Sequence, residues 1–440
     1  MTGKIVLVGG GSYGWGPTVV GQALTHPFLA GWQVVLHDLD SEPLELVYRL
    51  GQRWCERLGS TVVLERTIDL DAALSGADFV VVTISTGGLR AMRVDLEVPE
   101  RYGVFQTVGD TVGPGGASRT LRNLPVFLGL ARAMERHCPE AWMLNASNPL
   151  SALTRAVNRE TAIRALGLCH GVRGAARQFA GFFGVVLDQC AYTNAGIDHC
   201  AWFTDFRVQG RPAVDLLEEQ GLEAWLRLPP EQASQDPRFG TLYSLRCGLA
   251  LGRQLGALPA IGDRHLVEFF PGFLRSPESV ARYGLKRTTI AERESGRQQA
   301  RQRLEEQLAS AEPPAPPAGS DDVAGWIAAL AGGPPLEDNL NAPNAGQIPQ
   351  LPLGAVVETR GLLDATGCRP LVSPLPAALE AVVRPHVLRE ELLVEAAVEA
   401  SMSKALAALT SDPLLACPDQ APALLAELIS GTREWLPRFA

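Results

Sequence analysis

The residues of this chain suited to chemistry form a few short polar clusters. Gly9-Gly10-Gly11-Ser12-Tyr13-Gly14 is a G-x-G-x-x-G run directly behind the apolar stretch KIVLV at 4–8. There the glycines Gly9, Gly11 and Gly14, with Ser12, let main-chain N–H groups approach a pyrophosphate, and the helix expected next adds a favourable dipole. Asp38 follows the next apolar run, 24 positions after Gly14. A carboxylate at that point can accept hydrogen bonds from both ribose hydroxyls and disfavours a 2′-phosphate, so NAD rather than NADP is the expected dinucleotide. Asp40 is a second acceptor two residues on. Thr86, in Ser85-Thr86-Gly87-Gly88, closes a further strand-like run where open α/β sheets bind ligands; a plain turn is equally compatible. Cys169 and His199 stand thirty residues apart beside predicted strand ends, and a thiolate with an imidazole suits a divalent transition ion. By spacing alone a core cysteine is as good a reading. Two more segments are unusually polar: Val108–Gly116, carrying Asp110, and Asn145–Pro149, carrying Asn148.

These clusters need a scaffold, and the runs at 4–8, 33–37, 79–84 and 141–145 read as buried strands separated by helix-compatible stretches. Such alternation predicts an α/β chain with a Rossmann-like, doubly wound parallel sheet. The pattern changes near 150, where 150–165 reads as helix and Gly184–Leu187 and Cys200–Phe203 as strands. We therefore expect an NAD-binding domain over 1–165 and a second, mixed α/β (α+β) domain over 166–440 for catalysis, metal binding and oligomerisation. The charged stretch 276–310 predicts one long solvated helix, the proline-rich 312–320 a surface loop, and the Ala/Leu/Glu-rich tail from 385 further helix.

The chain has 440 residues, 46% hydrophobic, with 48 acidic against 39 basic side chains, a formal charge of −9. That balance, without a basic run, argues against a nucleic-acid or anionic-membrane partner. No apolar run approaches the ~20 residues of a membrane span, and the start of the chain reads as a strand rather than a secretion signal. The eight cysteines lack CxxC spacing, as reduced thiols do. A cytoplasmic protein with a small-molecule partner is expected.

In consistent order from residue 4 to about 370, the motifs resemble those of the family 4 glycoside hydrolases, which depend on NAD and a divalent metal. Gly262-Asp263-Arg264-His265-Leu266-Val267-Glu268-Phe269 and the N-x-N-x-P-N-x-G-Q run from Asn339 to Gln347 are most similar to the α-galacturonidase branch. The resemblance implies hydrolysis of a terminal α-linked uronide: oxidation at C3 of the sugar, deprotonation at C2, elimination of the aglycone and addition of water at C1. It implies Cys169 and His199 as ligands to Mn²⁺ or another divalent transition metal, and His170 as the acid toward the leaving oxygen. His265 is the expected C2 base, because Arg264-His265-Leu266-Val267-Glu268 replaces the tyrosine-bearing T-Y-L-x-Y segment of the phospho-glycosidase branch. Asp110 is expected as a base or metal-water partner, Asn148 at sugar hydroxyls, and Arg264, then Arg119, as the fork for a uronate carboxylate, with Asp263 also near the sugar. Asp198 stands where many members have asparagine. A homo-oligomer, dimer or tetramer, is a further implication. Alternatives at this level are an α-galactosidase or α-glucuronidase of the same family, or an NAD-dependent 2-hydroxy-acid or sugar-acid dehydrogenase.

Overall fold

In the computed structural model, which describes residues 2–317, 319 and 322–439, the run KIVLV is a strand buried on both sides. Val6 and Val8 enter one apolar cluster while Ile5 and Leu7 enter another, the alternation that a two-sided sheet imposes. The strands are β1 (Lys4–Val8), β2 (Gln33–His37), β3 (Val63–Thr67), β4 (Phe79–Val82), β5 (Trp142–Asn145) and β6 (Arg164–Gly167), then β7 (Cys190–Ile197), β8 (Cys200–Val208), β9 (Arg211–Pro212), β10 (Leu258–Pro259), β11 (Leu336–Pro343), β12 (Val356–Asp364) and β13 (Gly367–Pro370). A nine-stranded sheet runs β13-β12-β11-β6-β5-β4-β1-β2-β3. β1 to β6 are parallel, in the doubly wound order that reverses between β1 and β4, and β11 to β13 extend the sheet antiparallel from β6. Each fully buried Val, Leu or Ile contributes roughly 1.5–3 kcal/mol, so the two faces supply most of the driving force. β7, β8 and β10 form a second, antiparallel sheet with β9 on β8, covered by a third apolar cluster built around Phe179, Phe203 and Trp225.

Several expectations need correction. The chain from 336 to 370, assigned to the second domain, pairs onto the first sheet, and the division at 165/166 falls inside β6. Gly184–Leu187 is not a strand: Gly184 has φ +67, a 3-10 turn spans Leu187–Gln189, and the strand is Cys190–Ile197. The charged stretch is two helices, Pro277–Arg282 and Ile290–Ala309, because Thr289 caps the second, accepting from Glu292 N. The proline-rich loop lies on the sheet-flanking helix Ser41–Leu58, where Trp54 Nε1 donates to Pro314 O at 3.0 Å. Ala318 and Ser320 of that loop lie outside the described residues. No described helix is long and apolar enough to cross a membrane.

Candidate active site

At the carboxyl ends of β1 and β4 the sheet opens into a cleft of about 980 Å³ lined by Gly9, Gly11, Ser12, Gly14, Asp38 and Thr86 among others. All six expected dinucleotide contacts therefore meet on one surface. Gly9 turns with φ +95 against Thr83, whose Oγ1 would lie 2.6 Å from any Cβ, so a side chain fails there on both counts. The first turn of the helix Trp15–Thr25 has no capping side chain at Gly14, and a Cβ on Gly14 would meet no protein atom within 4 Å. A helix start facing an open cleft, with an apolar wall of Leu70, Val126 and Leu130 beyond it, fits a dinucleotide. Asp38 Oδ2 accepts from Gly11 N at 2.9 Å, which ties the loop to the acidic residue. Asp40, the alternative ribose acceptor, instead caps the helix Ser41–Leu58 by accepting from Glu42 N.

Thr86 is held by the helix Gly113–His137. Asn123 Oδ1 accepts from Thr86 N, and the Asn123 amide donates to Asn148 O at 2.9 Å. Arg122, fully buried and ion-paired with Asp95, donates to Thr86 O. One helix thus fixes the cleft edge and the Asn148 loop together. Sequence reasoning missed Arg122 and Asn123; both fall in an unbroken helical stretch where a polar residue reads as surface.

Beyond the cleft edge two groups of ligand-type atoms share His199. Cys169, Asp198 and His199 offer atoms all within 4.8 Å of one another, as do Asp110, His199 and His265. The local folding explains the meeting. Cys169 follows β6, and Asp198-His199 is the two-residue turn joining β7 to β8. His199 sits at φ +63, a conformation of uncommon occurrence outside glycine, for which histidine is enriched. Asp198 is buried, and neither of its oxygens has a donor other than the Cys169 thiol. A thiol, an imidazole and an unsatisfied carboxylate together form a donor set for a divalent transition ion. Asp198 as the oxygen donor was not foreseen, although its position was noted.

Thr111 joins the groups, donating to Asp110 Oδ1 and meeting His199 Nδ1, each at 2.8 Å. Asn148 Nδ2 donates to Asp110 Oδ2 at 3.1 Å, His265 Nδ1 lies 3.9 Å from Asp110 Oδ1, and the His199 and His265 rings lie tilted by 32° with centroids 3.8 Å apart. Burial works to raise the Asp110 carboxyl, but His265, His199, Arg119 and the Thr111 hydroxyl hold it well below the usual range. Burial lowers His199 to about 4 and His265 to about 3, so both rings are neutral at pH 7. The Cys169 thiol is pushed up, first by burial and then by Asp198 and Glu358.

The loop that presents Asp110 is tied down by Glu268, buried, whose Oε1 accepts from Val108 N at 2.6 Å and Gly109 N at 3.0 Å, with the Thr107 hydroxyl lying between it and Arg264 O. Sequence reasoning missed the role of Glu268, although it lies in the Gly262–Phe269 segment. His170 is exposed at the start of the helix Gly171–Phe182 and acts electrostatically on Asp198 and His199. Arg119 NH2 donates to Ser85 Oγ, and its charge acts on Asp110. Arg264 is exposed, with its guanidinium on Thr288 Oγ1 at 2.6 Å and its carbonyl taken by Thr107. Asp263 is corrected: it is buried, and its two oxygens accept from Cys247 N and Gly248 N at 2.7 and 2.8 Å, capping the helix Arg246–Leu255. A carboxylate so used has no oxygen turned to a sugar or to the C2 proton.

Comparison with known proteins agrees with this architecture. The family model described as "Family 4 glycosyl hydrolase" matches residues 4–185, and "Family 4 glycosyl hydrolase C-terminal domain" matches 194–415. The chain is 34% identical over 430 residues to an alpha-galacturonidase of Bacillus subtilis (strain 168), covering 94% of this chain and 93% of that protein. Its fold is similar to the crystal structure of lplD from Bacillus subtilis, with TM-score 0.87, 30% identity and coverage of 97% and 100%. It is also similar in fold to a 6-phospho-alpha-glucosidase from gut microorganisms, solved with NAD and Mn²⁺, with TM-score 0.84, 21% identity and coverage of 99% of each chain.

Proposed function

The chain belongs to the family 4 glycosyl hydrolases, and on that premise we propose that it removes terminal α-linked uronic acid, galacturonic acid first, from small saccharides. The observation that carries the reading is the pair of ligand-type clusters joined at His199, one sulfur-bearing and one holding a neutral imidazole beside a carboxylate. When bound, NAD supplies a reversible hydride acceptor and a divalent ion such as Mn²⁺ supplies Lewis acidity toward the sugar oxygens. The residues lining the cleft from Gly9 to Thr86 hold the first, and Cys169, His199 and Asp198 hold the second.

The remaining side chains act on protons and orientation. His265 is neutral and so has a ring lone pair for a proton, and Asp110 beside it offsets the burial that disfavours the imidazolium. Its Nδ1 is buried with no hydrogen-bond partner, which leaves that atom in need of one. His170, at the open side, is the group that would deliver a proton to the leaving oxygen. Asn148 sets the Asp110 carboxylate and offers its amide side to sugar hydroxyls. A uronate differs from a galactoside by a planar carboxylate that a guanidinium can bind through two parallel hydrogen bonds; Arg264, then Arg119, is our candidate for that contact. The likeness to an alpha-galacturonidase along the whole chain supports the choice of substrate.

The test is a panel of para-nitrophenyl α-galacturonide, α-glucuronide and α-galactoside, with NAD and Mn²⁺ and a thiol reductant. Release is expected from the galacturonide, with catalytic NAD and no lasting NADH absorbance. Release from the galactoside alone would reject the uronide reading, and NADH accumulating in step with substrate would reject hydrolysis.

A further inference from the structure

The dinucleotide cleft is crossed by an element whose sequence reads as scaffold. The helix Ile290–Ala309 is almost wholly exposed, yet three of its residues at helical spacing, Glu294, Arg297 and Arg301, face the cleft side. Glu294 pairs with Arg93 of the helix Gly88–Glu100 at 3.4 Å, and Arg301 pairs with Glu42 of the helix Ser41–Leu58 at 2.6 Å. Those two helices flank the cleft on opposite sides, so the long helix lies across it like a bar. Its far end is held by Arg53, which donates to the carbonyls of Leu308 and Ala311.

Arg297 stands between the two ion pairs. It lines the cleft, and its guanidinium carbon lies 5.9 Å from the centre of the Tyr13 ring, inside the G-x-G-x-x-G loop. No described carboxylate pairs with it. Among the described cleft-lining residues Arg297 is the one Lys or Arg, and it shares the lining with Asp38 and Asp40. A dianionic pyrophosphate at this loop meets two carboxylates nearby, and a single helix start is its other source of positive potential.

We infer that Arg297 binds the pyrophosphate of the dinucleotide, so that the bar helix supplies a cation the glycine loop lacks. The inference rests on the cleft's being the NAD site and adds a contact from outside the parallel-sheet domain. A planar guanidinium held over a tyrosine ring is suited to two phosphate oxygens at once.

Calorimetric titration of the full-length protein with NAD⁺, ADP and adenosine tests it, on wild type, Arg297→Ala, Arg297→Lys and the outward-facing control Arg303→Ala. Arg297→Ala is expected to raise the Kd for NAD⁺ and ADP roughly tenfold, the effect of one charge-assisted contact, while adenosine changes less than about twofold and Arg297→Lys recovers part of the loss. Arg297→Gln replaces Arg297→Ala if thermal melting shows that the alanine variant does not fold. Wild type that fails to bind NAD⁺ would sink the cofactor reading itself. Wild type that binds, with ADP affinity unchanged in Arg297→Ala, or with Arg303→Ala losing as much, overturns the role of Arg297 alone.

Discussion

Removing the Glu268 carboxylate should loosen the Asp110 loop while leaving every ligand-type side chain in place. In Glu268→Ala two main-chain N–H groups, those of Val108 and Gly109, lose their common acceptor, while the Thr107 hydroxyl keeps Arg264 O. Each orphaned donor costs about 1–3 kcal/mol, and water entering the space keeps the sum near the low end, about 3 kcal/mol. Unfolding entropy of about 2.1 cal/mol/K per residue, taken over the whole chain, is about 0.9 kcal/mol/K, so the melting temperature should fall by about 3 °C. Activity should fall further, because a shift of about 1 Å in Asp110 can cost on the order of a hundredfold in kcat. Glu268→Gln keeps an acceptor oxygen for the two N–H groups and should stay within about tenfold of wild type. The pH response separates charge from shape. Burial pushes Glu268 up to about 7, against the lowering by Val108 and Gly109, whereas the unfolded chain titrates near about 4.3. A raised carboxylate gives stability that is complete below the unfolded value and is lost as pH rises through the folded one. Wild type should therefore lose about 3 kcal/mol relative to Glu268→Gln between about pH 4 and 7.5. Melting curves across that range, with kcat on para-nitrophenyl α-galacturonide, check both arms. Full kcat in Glu268→Ala, or an equal loss in both variants, refutes the reasoning.

Cys169→Ser and His199→Ala should each weaken Mn²⁺ binding at least about tenfold, measured by the free Mn²⁺ electron-paramagnetic-resonance signal, with melting temperature nearly unchanged; undiminished affinity would remove the sulfur-bearing group from the metal site. Asp263→Ala should cost about 2–3 kcal/mol by freeing Cys247 N and Gly248 N inside the protein, with KM for the uronide unchanged, and a raised KM without loss of stability would return Asp263 to the sugar.

What the sequence made legible follows from how each element is stabilised. β1, β2, β4 and β5 are buried on both faces, so they read as continuous apolar runs and fix the parallel order, and the glycine run behind β1 locates the cleft. β11 and β12 did not read as strands, because their buried positions include Asn339, Asn341 and Glu358, polar residues that carry no period-2 signal. The pairing of β11 with β6 brings the C-terminal half back to the Cys169 end of the sheet, a closure that no local pattern encodes. Spacing marked the Cys169–His199 pair only weakly and resemblance strengthened it, since a hairpin turn and a strand end thirty residues apart meet through two different sheets.

The helix Ile290–Ala309 failed to read as functional for a complementary reason. Hydrophobic periodicity detects a face turned to an apolar core, and this helix buries only Ile290 and Leu304. The face it turns inward meets ion pairs and an open cleft, so its contact side is as charged as its solvent side. For an element that spans a cofactor cleft the informative pattern is instead the spacing of charges with partners on two separate helices. Glu294 and Arg301 have such partners, and among the described residues Arg297 between them has no carboxylate partner. A lone cation on a doubly anchored helix, held over a glycine loop, is positioned for an anion that the chain itself does not provide.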